Sequence, residues 1–234
     1  MNKEEIENRA FVIIAQAQYL HTDSKLYSDF GLVLLDAGIQ TLNTQILAGL
    51  QSGELDEARN YFFRALDELS IPKLPDENTL RYHYARAVAQ RVLNDELSPF
   101  MGVDIMQRMA YDSFNDPICS DFIWIDEAIE LQGSSYTPIP EFEVNPKAYI
   151  LEAFRHFLCI LDTVPERHLQ DVVICENCNH IEKMDQFWDR KFDWKSFAFE
   201  VILRCPKCKS KQIIDCQDNE GKRKYFAIRM QNYA

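Results

Sequence analysis

Residues 172–180, VVICENCNH, and 203–210, LRCPKCKS, contain two C-x-x-C pairs, Cys175/Cys178 and Cys205/Cys208, separated by 26 residues. A C-x-x-C turn puts two thiolates on one side of a tight knuckle. Two knuckles facing each other make the tetrahedral sulfur cage that zinc prefers, and four protein thiolates leave no position open for water, which marks a structural site rather than a catalytic one. Iron in a four-thiolate cage uses the same ligands, so spacing alone leaves zinc and iron both open, with ligand type and the prevalence of closed structural sites favouring Zn2+. A thioredoxin-like redox pair would need a βαβ pattern around the motif, and neither pair has one. His180 and Cys216 are close enough in sequence to act as substitute ligands, and they read instead as a surface histidine and a strand cysteine.

Around the knuckles the sequence is β-like. Val172–Ile174, Phe197–Leu203, Gln212–Ile214 and Tyr225–Met230 are short, branched or aromatic, and partly alternating. Asn219-Glu220-Gly221 reads as a hairpin turn between the last two runs. With knuckles followed by β-like sequence, and with Cys205-Pro206-Lys207-Cys208 in Cys-Pro-x-Cys form, residues 170–234 resemble the zinc-ribbon superfamily. The resemblance implies a small β-module folded around one zinc ion. Asn179 and Lys209 stand where ribbons often have glycine, at a position that turns with positive φ.

The first 170 residues have helical periodicity instead. Leu55, Ala58, Phe62, Ala65, Leu66 and Leu69 recur at three- and four-residue spacing after Gly53. Ile6–Leu20 and Leu26–Leu50 read as two long helices, with Gly31 and Gly38 as weak points in the second. Ser98-Pro99, Asp116-Pro117 and Asn145-Pro146 each pair a capping side chain with proline, which loses no hydrogen bond at the first helical position. Asp76 caps a further helix through Leu80, Ala87 and Val92. Residues 132–145, rich in glycine, serine and proline, read as a loop before a last helix, Lys147–Asp162, presenting Leu151, Phe154, Phe157, Leu158 and Leu161 to a core. The expected fold is therefore mainly α with a small β module: about seven helices in an all-helical domain, residues 1–165, followed by a C-terminal zinc ribbon, residues 166–234. No segment repeats at a fixed period, which excludes a solenoid.

Charge divides in the same place. Residues 171–234 carry 12 basic and 10 acidic side chains, leaving 13 basic against 27 acidic in residues 1–170 and a net charge of −12 for all 234 residues. The acidic half repels a polyanion and steers a basic protein toward it. The apolar fraction of 47% excludes a disordered chain, and no run approaches the ~18 apolar residues of a membrane span. With the acidic start Met1-Asn2-Lys3-Glu4-Glu5, the expected location is the cytoplasm. Seven cysteines, an odd number, argue against a disulfide framework, and Cys119 and Cys159 sit in apolar helical surroundings as core residues.

Catalytic readings find little support. Glu152 and His156 share a helix face, but no second carboxylate–histidine helix completes a di-metal site, so a surface or interhelical hydrogen bond is the simpler reading. Tyr82, His83, Tyr84 and Arg86 have no phosphate loop, nucleophile elbow or H-E-x-x-H motif beside them. The segment Ala87–Leu131 resembles part of bacterial helical proteins, some of which are similar to immunity proteins against secreted toxins. That likeness carries no functional residue across, but with the acidic helical half it fits a neutraliser or accessory subunit binding another, basic protein; Asp126, Glu127 and Glu130, more simply the solvated side of an amphipathic helix, are the candidate contacts. The alternative is nucleic-acid binding through Lys222, Arg223 and Lys224 and the aromatics Phe187, Trp188, Phe192, Trp194, Phe197 and Phe199, whose simpler role is to fill the ribbon core.

Overall fold

The computed structural model describes residues 2–19, 22–50, 54–73, 76–112, 117–136, 138–193 and 197–231. The protein is mainly α with a small β module: ten α-helices and five short strands among the described residues. It forms two compact units, Met1–Gln90 and Arg91–Ala234.

The first unit contains α1 (Lys3–Tyr19), α2 (Ser24–Asp36), α3 (Leu42–Gly49), α4 (Leu55–Glu68) and most of α5 (Glu77–Leu93). The single helix expected over 26–50 is two. α2 stops because Gly38 turns to φ +83°, letting its N–H reach Leu35 O while Ile39 N–H reaches Leu34 O. α3 restarts with Thr41, whose hydroxyl accepts from Thr44 N–H. Gly31 is no weak point but a contact: a Cβ there would lie 2.6 Å from Ala48 N, so α2 and α3 cross backbone to backbone. Asp76 caps α5 as expected, accepting from Thr79 N–H at 2.9 Å. Phe62 on α4 is fully buried against the rings of Tyr27 and Phe30 at 5.1 and 5.2 Å.

The second unit starts with α6 (Pro99–Asp112), entered at Pro99, and α7 (Ser120–Glu130). Asp116 lies outside the described residues. Pro117–Cys119 form a turn and the helix starts at Ser120, whose hydroxyl donates back to Pro117 O. The expected loop 132–145 contains a one-turn helix, α8 (Pro140–Val144), which Pro140 starts and the fully buried Phe142 anchors on Tyr149. α9 (Pro146–Thr163) is capped by Asn145, which accepts from Ala148 N–H at 3.1 Å. Its buried face is Tyr149, Ile150, Ala153, Phe154, Phe157 and Ile160; Leu151, Leu158 and Leu161, expected inside, are only half-buried. Phe122 of α7 packs tilted on Phe154 at 4.7 Å and edge-on against Phe157 at 5.7 Å.

The β module comprises β1 (Val172–Cys175), β2 (Ile181–Lys183), β3 (Trp188–Asp193), β4 (Ala198–Leu203) and β5 (Ile213–Asp215), with a 3-10 turn at Met184–Phe187. β1 is central in an antiparallel sheet ordered β2-β1-β5, and β3 and β4 form a separate antiparallel hairpin. The largest correction falls at the C-terminus: Tyr225–Met230 is not a strand and 219–221 is not a hairpin turn. Both belong to α10 (Asn219–Gln231), started by Asp218, which accepts from Gly221 N–H at 2.7 Å. α10 packs on α9 through Phe226, and its first turn meets β5 so closely that a Cβ on Gly221 would lie 1.7 Å from Asp215 O.

Candidate metal centre

Each knuckle is built from the same local bonds. In the first, Asn179 N–H donates to Cys175 O and Cys175 N–H to His180 O, both at 2.9 Å; in the second, Lys209 N–H donates to Cys205 O and Cys205 N–H to Ser210 O, again at 2.9 Å. Asn179 and Lys209 turn with φ of 54° and 62°, so the left-handed position that favours glycine is filled here by an asparagine and a lysine. β1 delivers Cys175, β4 runs into Cys205, and Glu176 N–H donates to Gln212 O to tie the knuckles together.

The four sulfurs lie within 4.8 Å of one another, with Cys175 Sγ 3.4 Å from Cys208 Sγ and Cys178 Sγ 3.6 Å from Cys205 Sγ. These separations exclude disulfides, whose S–S bond is about 2.05 Å. They approach the roughly 3.8 Å edge of a tetrahedron with ~2.3 Å metal–sulfur bonds, so the donor set fits a metal ion. Cys175 and Cys205 are fully buried and Cys178 and Cys208 half-buried. The Ser210 N–H and the Asn177 side chain hold the Cys208 thiol down to about 6, whereas burial pushes Cys178 up to about 12 and raises Cys175. Four thiols at this spacing favour full ionisation only with a cation among them. Behind the sulfurs the core is thin: Val173, Cys175, Phe187 and Cys205 are its buried members, and His180 stacks on Phe187 at 5.8 Å.

Neither His180 nor Cys216 joins the sulfurs. Cys216 is buried on the other side of β1 with Ile174 and Phe226, where burial pushes its thiol up to about 12. Cys119 is fully buried and Cys159 half-buried.

Other candidate residues are placed as follows. Lys222, Arg223 and Lys224 lie on α10, each engaged by carboxylates: Lys222 Nζ donates to Asp121 Oδ2 and to Gln217 O, both at 2.6 Å, Arg223 pairs with Glu152 and Glu141, and Lys224 lies 3.4 Å from Glu176. Asp126 is half-buried, accepts from Gln107 Nε2 at 3.1 Å, and has its carboxyl raised by burial and then by Glu130 and Asp104; Glu127 is half-buried and Glu130 exposed. His156 makes the expected interhelical hydrogen bond, Nδ1 to Asn219 Oδ1 at 3.0 Å. Phe187 fills the knuckle core, but Trp188 and Phe197 are exposed rather than buried; Phe192 and Phe199 are cross-strand partners, and Trp194 lies outside the described residues. The contacts missed by sequence reasoning are those of α10, and their signal was Asp218 three residues before Gly221 followed by Lys222 and Phe226 at i, i+4. No described helix is long and apolar enough to cross a membrane.

No family model, curated protein or solved structure matches this chain.

Proposed function

We propose that the protein is a non-enzymatic interaction module whose acidic helical part binds another, basic protein, and whose ribbon-like end is held by one structural zinc ion at Cys175, Cys178, Cys205 and Cys208. Four soft thiolate donors at tetrahedral spacing support zinc over harder cations. With all four positions filled by protein, such an ion supplies folding energy and activates no water.

The observation that carries the interaction reading is the fate of the basic triplet. Lys222, Arg223 and Lys224 spend their charge on Asp121, Glu141, Glu152 and Glu176 inside the same chain. Phosphate contacts need free cations, and a chain of net charge −12 with this triplet engaged attracts a basic protein instead. An immunity-like or antitoxin-like neutraliser, or an accessory subunit of a bacterial complex, fits that chemistry.

The test is recovery of a basic protein from the native host, followed by association kinetics at two salt concentrations. Charge reversal at Asp126, Glu127 and Glu130 is expected to slow association and flatten its salt dependence while leaving dissociation nearly unchanged. Recovery of nucleic acid through a salt wash, with no protein partner, overturns this reading.

A further inference from the structure

Between α7 and the first turn of α10 lies a cleft of about 150 Å³, lined by Trp124, Ile139, Tyr149, Asp121 and Asp218 among others. Its size suits one long side chain, since pockets for drug-sized ligands run to about 300–1,000 Å³. Trp124 is 53% exposed on a helix that buries Phe122 and Ile125 and half-buries Ile123 and Ile129. Among the described residues one cation lines the cleft. The Lys222 ammonium belongs to the wall: its side chain is 4% exposed, and two of its N–H groups donate to Asp121 and the Gln217 carbonyl. Two carboxylates therefore share the cleft with one ammonium already paired to Asp121.

We propose that this cleft receives a lysine or arginine side chain of the partner protein, its stem lying against Trp124 and its charge directed at Asp218 and Asp121. The site rests on the basic partner inferred above and specifies how that partner is gripped. Cation–π contact with an indole and a charge-assisted hydrogen bond to a carboxylate are complementary ways to hold such a group. The surrounding potential agrees: burial first, then nearby carboxylates that include Asp218 and Asp121, raises the pKa of both the Tyr149 hydroxyl and the Asp215 carboxyl above their ordinary values. An anion is disfavoured although the α10 N-terminus opens here, because Asp218 already caps it through Gly221 N–H.

The experiment titrates the full chain with N-acetyl-argininamide, N-acetyl-norleucinamide and inorganic phosphate, following the Trp124 indole N–H by NMR, assigned with Trp124→Phe. A saturable shift with the arginine derivative, at least tenfold weaker for the norleucine one, is expected. Asp218→Asn keeps the helix cap and is expected to weaken binding three- to tenfold with the spectrum otherwise unchanged. An equal response to norleucine would make this an apolar pocket only, a response to phosphate an anion site, and no saturable shift no site at all; each overturns the proposal. Binding of the probe without any basic partner would instead sink the functional reading alone. A basic partner whose association ignores Asp218→Asn would sink the cleft alone.

Discussion

The two faces of β1 are closed in different ways. Ile174 points into a core of Ile160, Val164, Leu169, Cys216 and Phe226, supplied by α9, α10 and the segments beside β1 and β5. Val173 and Cys175 point the other way, into a core whose further buried members among the described residues are Phe187 and Cys205. Burying one large apolar side chain contributes about 1.5–3 kcal/mol, so the helix side has apolar area enough to hold itself together. Among the described residues the knuckle side has two buried hydrocarbon side chains, Val173 and Phe187, with Met184, Leu203 and Ile213 partly buried, and four sulfurs. A metal ion among those sulfurs would supply the cohesion that so thin a core lacks.

The comparison breaks most visibly at the sulfurs. Cys175→Ser or Cys208→Ser is expected to abolish retention of one zinc per chain, measured by elemental analysis of protein purified without added metal, and to disorder the knuckles while the helical circular dichroism largely persists. Iron in place of zinc would correct the metal; no metal in the wild-type chain would refute the asymmetry altogether.

The next effect lies on the helix side. Gly221→Ala drives a Cβ into the Asp215 carbonyl, backbone that has no flexible end to yield, and is expected to cost about 3 kcal/mol in chemical denaturation. Lys222→Met leaves Asp121 without its ammonium partner. Because Asp121 remains about a quarter exposed, the loss belongs below the 3–5 kcal/mol typical of fully buried pairs, at about 2 kcal/mol. Arg223→Ala removes pairs that are 44% exposed on the arginine side, and should cost only about 0.5 kcal/mol. If Arg223→Ala proves costlier than Lys222→Met, burial does not rank these contacts as argued.

How much of this was legible depends on whether the decisive contact was local. Asp76 and Asn145 announced their helices because a cap and its N–H lie three residues apart. The knuckles were equally readable, since C-x-x-C closes on itself. α10 was misread because Tyr225-Phe226-Ala227-Ile228 is as suitable for a strand as for a helix, and its helical state is decided by Phe226 and Ile228 packing on α9 and β1 and by Lys222 reaching Asp121, 101 residues away. The surroundings of the basic triplet were hidden with it: a sequence shows three cations but not the carboxylates that lie beside them. α8 was hidden for a similar reason, one turn being too short for periodicity to show.

The smallest expected effect is one of pH. Burial lowers the His156 pKa, as do the nearby Lys222 and Arg223, while Asn219 and Glu152 oppose them. The folded chain thus favours neutral imidazole and the unfolded chain binds the extra proton. The resulting stability is present above the unfolded value near 6.5 and is lost progressively as pH falls below it. His156→Gln should flatten the slope of melting temperature between pH 7 and 5 relative to wild type; an unchanged slope would show that α10 docks on α9 without regard to that charge.

Amide hydrogen exchange before and after metal removal by a strong chelator tests the contrast most directly. The account predicts at least tenfold loss of protection in residues 175–183 and 203–213, with the amides of α9 and α10 holding theirs. Loss of protection in α9 and α10 together with the knuckles, or full protection of the knuckles without metal, would contradict it.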